Sequence, residues 1–318
     1  VVDPEALDEG LDSDLEFSRT GIWLLAIRPR TLPAAVAPVV LGTGIAAARG
    51  LADLWPALAT LVAALLIQIA TNLANDLFDH LKGGDTDARL GPIRVVQAGL
   101  LEPREVWRAT LLTLTLALGI GVYLVAVGGL PILVIGVLSL VCAVAYTGGP
   151  YPLAYHGLGD LFAFVFFGWV AVAGTYWIQV GAFHLELLLA GTGVGALITA
   201  ILVVNNLRDR ETDALAGKRT LAVRIGRRGT QVEYLVLLLL AAAVPLVGVL
   251  GFGWTEWSLL AWLSAGLFRF PLTRVLSFED PRELNPALGA TARGVAWYSG
   301  LLAAGFMVGA VRAGVMTF

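Results

Sequence analysis

Hydrophobic residues along this chain fall in long runs rather than in alternation. Reading each run between its bounding Gly, Pro or charged residues gives nine segments, roughly 22–48, 53–78, 105–127, 130–146, 158–180, 185–207, 231–251, 255–275 and 289–312. Most approach or exceed the ~20 apolar residues that a helix needs to cross a bilayer. A closed barrel would show ~10-residue alternating segments instead. Lipid tolerates little else, because every peptide group must find its partner internally. The pattern predicts an all-α polytopic membrane protein with about nine transmembrane helices arranged around a central cavity.

Two polar islands interrupt the apolar background, at 72–97 and 205–226. They match at a constant offset: Asn72 with Asn206, Leu73 with Leu207, Asp79 with Asp213, Leu81 with Leu215, Gly83 with Gly217 and Thr86 with Thr220. Such spacing suggests an internal parallel repeat. The even number of expected crossings between the islands puts both helix ends on one side of the membrane, where they can face a shared cavity. Asn72, Asn75, Asp76 and Asp79 follow i, i+3, i+4, i+7 spacing, and Asn205, Asp209 and Asp213 follow i, i+4, i+8, so each set lies along one helix face.

Composition sharpens this picture. The chain of 318 residues is 58% hydrophobic and 14% charged, with a mean hydropathy of +0.80. No Lys or Arg occurs between Arg108 and Arg208, nor between Arg228 and Arg269. With the N-terminus inside, nine crossings put every basic residue except Arg49 and Arg312 on one face, so the positive-inside tendency makes that face cytoplasmic. A plasma-membrane protein with its site toward the cytoplasm is expected. Residues 1–20 form an acidic stretch with no positive n-region, expected to be a mobile tail ahead of one transmembrane domain at 21–318. Cys142 is the sole cysteine, and His80, His156 and His184 show no zinc spacing. No P-loop, dinucleotide fingerprint or basic aromatic surface for nucleic acid is present.

A carboxylate at mid-bilayer costs on the order of 2.5–3.5 kcal/mol, so four of them need compensation. Mg²⁺ prefers oxygen donors and is usually held by one or two carboxylates together with substrate phosphates. Asp76, Asp79, Asp209 and Asp213 can hold Mg²⁺ ions that bridge to one diphosphate and assist its departure. Lys82, Arg89, Arg94, Lys218 and Arg219 follow the two acidic sets and can bind the remaining phosphate oxygens. Tyr146, Tyr151 and Tyr155 lie in a stretch expected on the same side, where ring faces can stabilise an allylic cation or simply anchor the interface. An ion-coupled or lipid-phosphate transporter would also line a cavity with carboxylates. The dense basic flanks favour an anionic, phosphate-bearing ligand over a bare cation.

At these residues the sequence resembles the UbiA superfamily of intramembrane aromatic prenyltransferases. The stretch NDLFDHLKGGD at 75–85 is similar to its first Asp-rich motif and DRETD at 209–213 to its second. Within the superfamily, residues 28–46, 85–101 and 205–226 look most like members acting on 1,4-dihydroxy-2-naphthoate in menaquinone synthesis; 4-hydroxybenzoate is the alternative acceptor. The resemblance implies Mg²⁺ on Asp76, Asp79, Asp209 and Asp213, supported by Asn72, Asn75, Asn205 and Asn206, with Lys82, Arg94, Lys218 and Arg219 on the diphosphate. It also implies a polyprenyl diphosphate donor drawn from the membrane lipids, and loss of the acceptor carboxyl as CO₂. Asp85 falls later than the third Asp of the superfamily spacing, so the likeness does not extend to it.

Overall fold

A computed structural model describes residues 18–83 and 90–314. Most of the acidic tail, together with Asp85 and Arg89, lies outside them. The chain enters a helix earlier than its apolar pattern suggests, because the Ser18 hydroxyl accepts from the Gly21 amide and starts α1 (Arg19–Ile27). A short turn at Pro29–Thr31 bends the chain into α2 (Pro33–Ala48), which opens on proline, the residue best suited to a first helical turn. Asp53 caps α3 (Leu54–Leu81) through the Trp55 amide, and a Glu102/Glu105 capping box starts α4 (Pro103–Gly128). After α5 (Leu130–Ala145) come α6 (Gly159–Val180), α7 (Glu186–Arg208), the short α8 (Arg210–Leu215), α9 (Leu221–Gly251), α10 (Glu256–Ser277, wound as a 3-10 helix over Glu256–Phe268) and α11 (Leu284–Arg312).

Each apolar run of the sequence corresponds to a helix, yet the count of nine crossings is not reached on length. Among the described residues, seven helical stretches are long and apolar enough to span, or eight when the bent pair α1–α2 counts as one. The exception is α5, whose 16 residues rise only about 24 Å against a ~30 Å hydrocarbon core. Its ends nonetheless meet opposite ends of the bundle. The Trp177 indole donates to the Gly128 carbonyl just before it, and the Thr147 hydroxyl just after it donates to Asn75. Leu112, Val122, Leu239 and Leu250 present bare apolar side chains outward, as a multi-pass membrane protein requires.

The centre of the bundle is α7, apolar around its whole circumference and therefore surrounded rather than half exposed. Leu187, Val194, Leu197 and Val204 pack with Val172 and Tyr176 of α6, Tyr234 and Ala241 of α9, Val295 and Tyr298 of α11, and Leu41 of α2. Small residues set the spacing. A Cβ on Gly195 would lie 2.7 Å from the Phe164 carbonyl oxygen, and one on Gly168 would lie 2.6 Å from that of Gly191. Here α6 runs as a π-helix over Phe164–Val170, a widened turn of the kind often found beside functional sites. A second cluster packs Val95, Val96 and Leu101 against Leu73 and Leu77, so the segment after the first island is docked onto α3 by its own apolar pair.

The glycine contact generates a stability prediction. Gly195→Val must push α6 away from α7 and should destabilise the protein by about 1–3 kcal/mol. Gly300→Ala, where a Cβ meets nothing within 4 Å, should be neutral or stabilising by up to about 1 kcal/mol. Thermal unfolding of both variants in detergent micelles checks the contrast.

Candidate active site

The last two turns of α3 carry the first acidic set into the protein interior. Asn72, Asp76 and Asp79 are buried, at 4%, 1% and 2% exposure. They are not equivalent. Both Asp76 oxygens accept backbone amides, from Val95 at 3.1 Å and Val96 at 3.2 Å, and its side chain does not line the cavity. Asp79, one turn on, faces the cavity: its carboxylate accepts from the Arg94 guanidinium at 2.9 Å and the Tyr155 hydroxyl at 3.0 Å.

The second set sits where the chain leaves α7. Sequence spacing placed Asn205, Asp209 and Asp213 on one helix, but α7 stops at Arg208 and α8 starts at Arg210. The i to i+4 hydrogen bonds run on through the break, Asp209 amide to Asn205 carbonyl at 3.0 Å and Asp213 amide to Asp209 carbonyl at 2.7 Å, so the three still share a face. Arg208 grips Asp209 through two nitrogens, at 2.8 and 2.6 Å, and donates to Asn205 as well. Lys218, folded back after α8, joins the sets: its ammonium lies 3.1 Å from Asp79 and 3.8 Å from Asp213. Two islands far apart in sequence thus meet at one buried cation.

Around this junction lies a cavity of about 330 Å³. Its polar end is formed by Asn72, Asn75, Asp79, Arg94, Asn205, Asn206, Asp209, Asp213 and Lys218, with the Tyr146 ring alongside. Its other end is apolar, lined by Ala34, Pro38, Ile67 and the π-helix neighbours Phe162, Phe166 and Phe167. Every side-chain donor of the two acidic clusters is oxygen, the set that suits a hard cation such as Mg²⁺. Among the described residues no three His, Cys, Asp or Glu side chains close a metal shell unaided.

Other expected site residues stand apart from the cavity. Lys82 donates to the Thr147 and Gly149 carbonyls at 2.8 and 3.2 Å and lies 5.2 Å over the Tyr155 ring. Burial lowers its ammonium below the usual lysine range, while Asp79 pulls the other way. Arg219 is exposed, and its backbone amide donates to the Tyr155 carbonyl at 3.0 Å. Tyr151 is 58% exposed and stacks on His156, with ring centroids 3.6 Å apart. The turn at Ala154–His156 selects Tyr155 instead, placing its ring 5.0 Å from the Lys218 ammonium. Residues given no individual role in the sequence also line the cavity: Arg28 and Thr31, both within the 28–46 stretch, and Gln68. Arg28 is the one non-glycine residue with positive φ, 56°, among those described. Backbone strain of this kind collects at functional sites, and no sequence pattern marks it in advance.

The sequence pattern of the UbiA prenyltransferase family matches residues 35–293. The chain belongs to that family. This settles the choice between enzyme and transporter in favour of the enzyme. A 1,4-dihydroxy-2-naphthoate octaprenyltransferase of Escherichia coli is 38% identical over 289 residues, covering 89% of this chain and 94% of the relative. One of Mycobacterium tuberculosis is 40% identical over 269 residues, covering 85% and 91%. The fold is shared with solved UbiA homologues from Aeropyrum pernix, with a TM-score of 0.65, 17% identity and coverage of 89% of this chain and 98% of that one, and from Archaeoglobus fulgidus, bound to GPP and Mg²⁺, with a TM-score of 0.60, 14% identity and coverage of 88% and 99%.

The shared lysine yields a test of the site that needs no substrate. Removing one partner from a buried ion network leaves uncompensated charge, at a cost of about 3 kcal/mol or more. Lys218→Met should therefore lower thermal stability by roughly that amount, and adding Asp79→Asn should restore part of the loss. Equal, additive losses in a double-mutant cycle would show that the two groups do not interact.

Proposed function

We propose that this chain transfers a polyprenyl group from a polyprenyl diphosphate to 1,4-dihydroxy-2-naphthoate, with loss of the carboxyl as CO₂. The observation that carries this reading is the meeting of Asp79, Asp213 and Lys218 in the wall of a cavity that apolar side chains also line. Such a site binds an anion–metal pair at one end and a hydrocarbon at the other. The naphthoate acceptor is supported by the relatives at 38% and 40% identity, whose coverage spans most of both chains.

In the reaction the allylic C–O bond breaks, and diphosphate leaves with the electron pair. A C–C bond forms to the naphthoate ring, and the carboxyl departs as CO₂. Asp79, Asp209 and Asp213 would hold Mg²⁺, with Asn75, Asn205 and Asn206 supporting; Asp76 would reach the metal only by releasing the Val95 and Val96 amides. Bound there, Mg²⁺ would supply Lewis-acid neutralisation of the leaving diphosphate. Lys218 and Arg94 bind the remaining phosphate oxygens. Tyr146 and the Phe162, Phe166 and Phe167 rings wall the cavity against water, which would otherwise capture the cation as a prenyl alcohol. At about 330 Å³, near the lower end of the ~300–1,000 Å³ typical of ligand sites, the cavity suits the reacting head of the donor, leaving the tail of a long chain to the bilayer. The charge bias of the loops supports a plasma-membrane location with the site on the cytoplasmic side.

Purified protein incubated with polyprenyl diphosphate, 1,4-dihydroxy-2-naphthoate and Mg²⁺ should release pyrophosphate and CO₂ and give a prenylated naphthoquinol by mass. Asp213→Ala should reduce turnover by at least about a hundredfold, as expected for one member of a unit that acts together. Product formed from 4-hydroxybenzoate in preference to the naphthoate would reassign the acceptor.

A further inference from the structure

Arg208 is a fully buried guanidinium that does not line the cavity, and Asn285, on α11, does not line it either. The Asn285 side-chain oxygen accepts from Arg208 at 2.9 Å, and its amide nitrogen donates to the Leu90 carbonyl at 3.1 Å. The next residue rests on the same group: a Cβ on Gly91 would lie 2.4 Å from an Arg208 terminal nitrogen and 2.6 Å from Cζ. The other side of that guanidinium holds Asp209 and Asn205. A few residues beyond Gly91, Arg94 reaches Asp79, while the Val95 and Val96 amides hold Asp76.

We propose that Asn285 is a positioning residue which, through Arg208, fixes the two acidic clusters relative to one another. One amide and one guanidinium link Asp209 of the second cluster to the segment that supports Asp76 and Asp79 of the first. The position calls for an acceptor and a donor on one short side chain. Asparagine supplies both; aspartate can satisfy Arg208 but leaves the Leu90 carbonyl without its donor. The link is a contiguous set of hydrogen bonds, and an Asn with no substrate contact controls the geometry that substrate meets. Its kinetic consequence rests on the diphosphate–Mg²⁺ reading of the site; its structural consequence does not.

Amide hydrogen exchange of the full chain in micelles, without ligand, tests the structural consequence. Asn285→Ala should speed exchange by about tenfold or more in both 90–98 and 205–213, leaving α4 unchanged. Gly91→Ala, which displaces the guanidinium from the other side, should give the same two-segment signature. Asn285→Asp should loosen 90–98 alone. In steady-state assays Asn285→Ala should raise the KM for polyprenyl diphosphate and the half-saturating Mg²⁺ concentration by about tenfold each, with a smaller change in kcat. Unchanged exchange at 90–98, a uniform rise along the whole chain in both alanine variants, or an unaltered KM would each overturn the proposal. Failure of the functional reading has a different signature: no prenylated product from the unsubstituted protein, with the two-segment exchange pattern intact.

Discussion

A carboxylate buried in a membrane protein must be compensated, and here much of that compensation passes through one ammonium. Lys218 stands between Asp79 of α3 and Asp213 of α8, while Arg94 and the Tyr155 hydroxyl complete the surroundings of Asp79. Desolvating an ion costs several kcal/mol even after relaxation, so these groups hold their charge only where the partners stand in place together. The arrangement dictates the packing beneath it. Two helix ends distant in sequence must arrive at one level, and the segment carrying Arg94 must dock, which Val95 and Val96 accomplish by burying themselves against Leu73 and Leu77.

The same economy explains why the site is polar at one end only. The cations Lys218 and Arg94 that line the cavity have carboxylate partners in the protein, Lys218 in Asp79 and Asp213 and Arg94 in Asp79. A diphosphate with Mg²⁺ adds positive and negative charge together, so it can enter this network by exchanging partners rather than by introducing a bare charge. The glycine contacts of α7 seat the π-helix of α6 closely against it, and Phe166 and Phe167 of that π-helix line the cavity.

Much of this was legible in the residues. Aligned Asn and Asp on two helix faces predicted a joint site, and the contact of Lys218 with both Asp79 and Asp213 realises that meeting. Periodicity could not separate Asp76 from Asp79: both fall on one broad face, and only the docked Val95–Val96 segment turns Asp76 toward backbone amides. Nor could it choose among the tyrosines, because the turn at Ala154–His156 sends Tyr155 inward and leaves Tyr151 stacked on His156. Arg28 is marked by backbone conformation and Asn285 by contacts with residues far away in the chain, neither of which a local pattern carries. The count of nine crossings stands unconfirmed at α5, since apolar composition marks a membrane segment more readily than its length.

On the proposed reading, both acidic clusters hold one metal–diphosphate unit. Electron paramagnetic resonance with Mn²⁺ in place of Mg²⁺ addresses it directly, using a non-hydrolysable polyprenyl diphosphate analogue. The account predicts that Mn²⁺ binds tightly only when the analogue is present, and that Asp79→Asn and Asp213→Asn each abolish this binding. Retention of the bound-Mn²⁺ signal in either variant would contradict it.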